Sequence, residues 1–438
     1  MHEAINEGTN SITTGALLTA LLIFLSSYTL IISERVHRTT VAILGSALMV
    51  MLGVFLNFYD QEEAIHSIDF NTIGLLVGMM IIVSITKTTG LFQYVAIRAS
   101  KTVKGDPWKI MIAFSLVTAI FSALLDNVTT VLLMVPMTLV ICDNLKIKPM
   151  PFLLAEIFMS NIGGTATLIG DPPNILIGSA AKLSFMDFVK NLGPVVLFIS
   201  LLFIPLMKLL FGKQIKADQE NIKSIMRLNE NDSIADLSLL KKSLFVLTLV
   251  ILGFFVHGSL GIEGATIALF GAGLLLLLDN KNPERVLHEV EWITIFFFIG
   301  LFVLVGGLEK VGAINWAANQ LLEITGGNLT VTALTILWGG AFFSAFVDNI
   351  PFVATMIPLV QDMSTVFNNL NPLWWSLALG ACLGGNGTLV GASANLVVAG
   401  LAEKSGYKIK FADFLKTGMM IMIFSVFVST IYVYFRYL

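Results

Sequence analysis

The chain has 438 residues, of which 56% are hydrophobic and 13% charged, with a formal net charge of -3 and a mean hydropathy of +0.86. That composition excludes an ordinary soluble domain and offers no basic surface for a nucleic acid. Apolar runs of about 17–25 residues, the length that crosses a bilayer, recur throughout, so the fold class expected is an all-α polytopic membrane protein.

The first span covers about 14–33 and ends at the basic flank Glu34-Arg35-Val36-His37-Arg38. Residues 1–14 are polar and lack a basic leader, so a cleavable signal is not expected. The second span, about 40–57, precedes the acidic Asp60-Gln61-Glu62-Glu63. The third runs from about 72 toward 100 and ends in Arg98, Lys101, Lys104 and Lys109. Basic ends face the cytoplasm, which puts the N-terminus outside.

The next block, 110–142, has basic flanks on both sides, with Lys146 and Lys148 on the second. A block that starts and ends on one side is expected to be a re-entrant hairpin, with arms of about 15 residues. Its tip falls at Asp126-Asn127. The span at about 151–180 is interrupted by Gly163-Gly164, Gly170 and Asp171-Pro172-Pro173, and reads as a broken helix. A span at about 192–212 follows. The polar segment 213–242 reads as a cytoplasmic linker between a first half, 1–212, and a second half, 243–438. That second half holds spans at about 243–258, 264–279 and 293–318. A second hairpin, 330–368, a second broken helix, 373–402, and a final span, 418–436, complete it.

The halves repeat. FSALLDNVTTVLLMVP, 121–136, returns as FSAFVDNIPFVATMIP, 343–358, at an offset of 222 with eight of sixteen positions identical. GGTATLIGDPPN, 163–174, returns as GGNGTLVGASAN, 384–395, at an offset of 221. Gly78/Gly300 and Gly90/Gly312 keep the 222 offset. Five spans separate the start of the third span from its counterpart, and the flanks of the second hairpin carry no Lys or Arg. The two halves are therefore expected to run in opposite directions, the inverted repeat of secondary transporters. About ten transmembrane helices plus two opposed hairpins are expected.

An ionised Asp inside a membrane costs about 2.5–3.5 kcal/mol on insertion scales. Two at matched repeat positions, Asp126 and Asp348, point to ion binding. Hydroxyls, amides and unwound carbonyls are hard oxygen ligands suited to Na+ or to a proton relay. The candidates are Asp126, Asn127, Thr129, Thr130, Ser160, Asn161, Thr165, Thr167 and Asn174 in the first half. In the second they are Asp348, Asn349, Asn386, Thr388, Ser393 and Asn395. Na+ is placed at Asp126, Asn127, Asp348 and Asn349. Gly163, Gly164, Gly170, Gly384, Gly385 and Gly391 are expected to let the backbone unwind beside the ligand. Half-helix N-termini at the breaks suit an anion. Asp171 has Ala392 at its matched position and reads as a helix cap. Glu156 lies mid-span with Ala378 at an offset of 222, an asymmetric acid that suits a proton carrier or, equally, a snorkelling or interhelical contact. Cys142 and Cys382 read as small packing residues.

LDNVTTVLLMVP followed by SNIGGTATLIGDPPNILIGS resembles the permeases of the ion transporter superfamily. The match is to the branch of the P protein, the arsenite permeases and Na+/H+ antiporter-like proteins, and it covers essentially the whole chain. The resemblance implies the fold of the divalent anion/sodium symporters. It also implies a homodimer in the cell (inner) membrane, each protomer with a scaffold and a mobile domain working as an elevator. That family carries Ser-Asn-Thr at its hairpin tips, where this chain has Asp126-Asn127-Val128 and Asp348-Asn349-Ile350. A carboxylate in place of Ser strengthens cation or proton binding and repels a dicarboxylate unless a cation neutralises it.

The expected function is secondary active transport of a small inorganic or organic ion by alternating access, with Na+ or H+ as coupling ion and no other cofactor. Na+/H+ antiport or arsenite or antimonite efflux is the alternative. No GxxxxGK[ST] or HExxH motif occurs, so neither ATP-driven pumping by this chain alone nor an intramembrane enzyme is expected. A channel would need a continuous polar stripe, whereas the polarity is confined to two kernels.

Overall fold

The computed structural model describes residues 14–33, 35–212, 214–215 and 217–438. The readings made above on positions 1 to 13 and on Glu34 lie outside them. In chain order the helices are α1 (Thr14–Ser33), α2 (Arg38–Phe55), α3 (Gln61–His66), α4 (Phe70–Lys87), α5 (Leu91–Thr102), α6 (Pro107–Leu124), α7 (Asn127–Leu145), α8 (Met150–Gly164) and α9 (Pro172–Ala181). Then come α10 (Phe185–Asn191), α11 (Gly193–Phe211) and α12 (Gln219–Arg227). The second half holds α13 (Leu237–Leu260), α14 (Gly264–Asp279), α15 (Pro283–His288), α16 (Trp292–Lys310), α17 (Ala313–Ile324), α18 (Leu329–Phe346), α19 (Asn349–Asp362), α20 (Asn371–Gly384), α21 (Ser393–Lys404) and α22 (Phe411–Tyr437). No strand occurs among the described residues.

The breaks follow from local chemistry. Asp60 and Glu63 form a capping box that starts α3, and Asp106 caps α6 ahead of Pro107; each satisfies backbone N–H groups a helix start leaves free. Gly90 at φ 85 and Gly312 at φ 73 adopt left-handed backbone, which L side chains avoid. They split the third span into α4 and α5, and its counterpart into α16 and α17.

The repeat is visible in the elements. Both ends of α3, α5 and α6 recur at the 222 offset, as α15, α17 and α18, and the starts of α9 and α21 keep the 221 offset. Packing is reciprocal as well. A Cβ on Gly78 of α4 would lie 2.6 Å from the carbonyl carbon of Ala268 on α14, and one on Gly300 of α16 would lie 2.7 Å from that of Ala42 on α2. Each of these long helices thus packs on a helix from the other half of the chain.

The helices gather into two compact units. One holds α1–α3, α16, α17 and residues 358–366. The other holds 71–291, 328–357 and 367–438, and with them both broken helices.

Ten helices among the described residues are long and apolar enough to cross a membrane: α1, α2, α4, α6, α7, α11, α13, α16, α18 and α22. The ten differ in membership from the expected set. α14 has only 16 residues, and the broken helices contribute two short halves each. In exchange the arms α6, α7 and α18 reach 18, 19 and 18 residues. The arms of about 15 residues expected for the 110–142 block are corrected for α6 and α7; in the second block α19 is shorter, at 14 residues. The polar linker is also ordered into structure: α12 and a 3-10 turn, Glu230–Ser233, pack on α5 and α7.

Candidate functional site

Each repeat builds the same frame. Ser122 Oγ on α6 donates to the Ser160 carbonyl on α8 at 2.6 Å, and Ser344 Oγ on α18 donates to the Ala381 carbonyl on α20 at 2.6 Å. Thr167 Oγ1 donates to the Ala123 carbonyl at 2.5 Å, and Thr388 Oγ1 does so to the Ala345 carbonyl. These bonds hold the unwound segments 165–171 and 385–392 against the ends of α6 and α18. Asn174 Nδ2 donates back to the carbonyls of Gly164, Thr165 and Thr167 at 3.4, 3.2 and 2.9 Å. Asn395 Nδ2 does the same to Gly385 and Thr388 at 2.7 and 2.9 Å. One amide therefore satisfies carbonyls that the break leaves without helical partners.

The six glycines expected to permit unwinding have no left-handed backbone. Their role is closeness. A Cβ on Gly163 would overlap Ala119 O outright, and one on Gly384 would lie 2.7 Å from Ala341 O. Gly170 would meet Gly164 O at 2.5 Å and Gly391 would meet Gly385 O at 2.9 Å, so each break folds onto itself.

The two breaks meet in a buried polar kernel. Asn161 Nδ2 donates to Asn395 Oδ1 at 3.0 Å and to Asn386 Oδ1 at 3.0 Å. Cys382, at the 221 offset from Asn161, donates its thiol to Asn174 Oδ1 at 3.4 Å. Asn174 and Asn395 are matched in turn, so this contact is reciprocal too. Asn127 Nδ2 donates to Asn161 Oδ1 at 3.3 Å. Its counterpart Asn349 instead donates to both oxygens of Asp171, at 3.2 and 3.3 Å. All of these residues are buried.

Asp126 and Asp348 stand at the tips, each half-buried. Asp126 Oδ1 accepts from Thr129 N at 2.7 Å and caps α7. Asp348 Oδ1 accepts from Ile350 N at 3.1 Å and Oδ2 from Ser393 Oγ at 2.6 Å. Both are electrostatic neighbours of Asp171. The breaks thus gather the candidate amides, with Ser393 drawn in by Asp348. Thr165 back-bonds to Asn161 O at 2.7 Å, and Ser160 to Ile157 O at 2.9 Å, as hydroxyls in membrane helices commonly do. Thr129 contributes its backbone N–H.

The sequence reads Asp171 as the cap of α9, yet its side chain makes no capping bond. Pro172 and Pro173 occupy the first two helical positions and carry no N–H, and the next one, Asn174 N, donates to the Asp171 backbone carbonyl at 2.9 Å. Its carboxylate turns to Asn349 instead. Asp171 and Cys382 are the kernel members that the repeat pattern hides, because their counterparts, Ala392 and Asn161, differ in chemistry. The usable signal for Asp171 is an acid before two prolines, where two N–H groups of the first turn are missing.

Of the two half-helix starts at the breaks, α9 follows Asp171 and α21 follows Ala392, while Asp126 and Asp348 precede α7 and α19. A carboxylate therefore stands at three of these four positive dipole ends, and the start of α21 has none of its own. Three kernel groups stay open: Asn386 Nδ2, which can donate, and Asn127 Oδ1 and Thr130 Oγ1, which can accept, are all buried with no hydrogen-bond partner. The two oxygens, beside carboxylates, fit a small cation. Among the described residues no group of three or more His, Cys, Asp and Glu has metal-binding spacing, so a cation here would draw on amide, hydroxyl and carbonyl oxygens.

A sequence profile described as citrate transporter, CitMHS, matches residues 28–380. The chain belongs to the CitMHS family. An uncharacterised transporter of Mycobacterium tuberculosis is 45% identical over 424 residues, covering 95% of this chain and 98% of that one. The human P protein is 35% identical over 486 residues, covering 92% of this chain and 58% of the P protein. Among solved structures, the YdaH transporter of Alcanivorax borkumensis aligns with a TM-score of 0.53 over 96% of this chain and 99% of that one, at 12% identity. That likeness speaks for the fold. A CitMHS chain with ten apolar helices is an integral, multi-pass membrane protein of a transporter family.

Proposed function

We propose that the chain is a secondary active transporter of the cell membrane that couples the movement of a small ion to Na+ or H+ by an elevator-type alternating access. The observation that carries this reading is the kernel. Two broken helices meet reciprocally at buried amides, with three carboxylates around them and buried oxygen donors left without partners. Broken helices at the interface of inverted repeats are where secondary transporters bind substrate and coupling ion. In this reading α6–α7 and α18–α19 are re-entrant hairpins on opposite sides, and the protein works as a homodimer.

Asp126 with Asn127, and Asp348 with Asn349, take the coupling cation. The family is named for citrate, and relatives of this chain are named transporters. A polycarboxylate entering this kernel would face Asp126, Asp171 and Asp348, so it would need a cation bound first or carried with it. The same three acids support a second reading, Na+/H+ exchange.

The test is flux in proteoliposomes under imposed Na+ and pH gradients, with citrate and without. Gradient-driven citrate uptake supports the first reading, and Na+/H+ exchange without citrate the second. Flux that follows only the gradient of the transported ion would mean a channel. If the Asp126→Asn, Asp348→Asn double variant kept wild-type dependence on both gradients, the twin acids would be structural.

A further inference from the structure

We propose that Glu156 is a proton-carrying carboxyl set apart from the kernel, so that the chain holds its proton and its second ion at different places. This rests on the transport reading and adds to it the site at which a proton would ride.

Glu156 sits in the middle of α8, a helix whose residues from Pro151 to Gly164 are all buried, and its own exposure is 0%. Oε1 accepts from Thr138 Oγ1 on α7. Oε2 is buried with no hydrogen-bond partner. The helices α6, α7, α11, α20, α21 and α22 all pack on α8. From them the one titratable group that reaches the carboxyl is the Cys142 thiol, one turn along α7 from Thr138. No Lys, Arg or His pairs with it among the described residues. One neutral donor does not compensate a buried carboxylate charge, so this position favours a group that can take up a proton.

Its place along α8 gives that proton a use. Glu156 lies six residues after the start of α8 and five before Asn161, or about 7.5 Å from the kernel along a helix rising about 1.5 Å per residue. It touches neither the twin acids nor the amides that join the breaks, and the second repeat has no acid at the matched place. Occupation of this site is therefore chemically separate from occupation of the kernel. One proton bound and one released per cycle balances the step.

The test has two arms. In purified protein, infrared spectra recorded across a pH series report the C=O band of a protonated buried carboxyl. The band should titrate in the wild type, vanish in Glu156→Gln, and change its midpoint in Thr138→Val, which keeps the acid and removes its donor. In proteoliposomes, Glu156→Gln should lose flux driven by an imposed pH gradient, and any flux left under an imposed Na+ gradient should no longer depend on pH. A wild-type infrared band persisting in Glu156→Gln, or an unchanged pH profile of flux in that variant, would overturn the proposal. The infrared arm reads without transport, so a protein that moves no ion would defeat the transport reading and leave the proton site to be judged by its band.

Discussion

Asn349 donates its side-chain amide to both carboxylate oxygens of Asp171, at 3.2 and 3.3 Å. The bond joins the start of α19 to the first broken helix, and its repeat-related counterpart is a different pair, Asn127 with Asn161. The two substitutions that break it should act in opposite directions. Asn349→Ala leaves a buried carboxylate without its donor, and a lost bond to a charged group costs about 1.5–3 kcal/mol. Asp171→Asn replaces one of three neighbouring acids with a neutral amide. Thermal unfolding in detergent should fall for Asn349→Ala and hold or rise for Asp171→Asn. Equal losses in both would mean the pair acts only as a packing contact.

Close approach at the breaks sets a second expectation. Gly163→Ala drives a methyl into the Ala119 carbonyl oxygen, and Gly384→Ala places one 2.7 Å from that of Ala341. Overpacking costs about 1–3 kcal/mol, with Gly163→Ala the worse. Gly400→Ala, with nothing within 4 Å, should be neutral. Folded yield and unfolding temperature rank the three. Tolerance of Gly163→Ala would contradict the tight α6–α8 crossing.

Topology can be read by labelling. Lys109 and Lys148 are exposed at the outer ends of α6 and α7. Cysteines introduced there, with Cys142 and Cys382 replaced, should react with an impermeant reagent from the cytoplasmic side alone. Labelling from opposite sides would make this pair an odd number of crossings rather than a hairpin.

A further expectation concerns pH. Glu230 in the linker is bound by Lys101 Nζ at 2.5 Å and Arg98 Nη1 at 2.9 Å. The Lys101 ammonium first, then its own backbone N–H and the Arg98 guanidinium, pull its carboxyl down from 4.5 to about 2. A carboxyl lowered in the folded state stabilises above its unfolded value and loses that contribution as pH falls. The linker should therefore hold at neutral pH and loosen between about 4.5 and about 2. Limited digestion by an acid-active protease should cut 217–236 in that window, and Glu230→Gln should be cut already at its upper edge. A pH-independent pattern in both would show that the ion pairs do not anchor it.

Much of this was legible in the sequence because the repeat encodes it. Asp126 and Asp348, Asn174 and Asn395, and the Gly163/Gly384 pair stand at fixed offsets; the amides and the glycines keep matching contacts, whereas the two acids take different partners. What was not legible lies where the copies diverge. Asp171 reads as a cap until its carboxylate meets Asn349, and Cys382 reads as packing until its thiol meets Asn174. Apolar length was a poor guide to the hairpin arms, since α6 and α7 extend past the hydrophobic block into their polar flanks at Pro107 and Leu145. The splitting of the third span needed the backbone angle of Gly90.

The linker has a consequence for how such a chain could be taken apart. Asn221 Nδ2 donates to the Leu145 carbonyl at 3.3 Å, Lys101 Nζ to that of Leu228 at 3.1 Å, and Ala235 N to that of Thr89 at 3.0 Å. Every one of these contacts is with the first half, so by its packing the segment up to Ala235 belongs with the first half rather than the second. Two separately expressed fragments divided after Ala235 should find each other in one membrane and restore the folded protein, measured by co-purification. Fragments divided near 212 would strand the segment on the wrong piece and should assemble poorly; equal recovery from both cuts would mean these contacts set no preference.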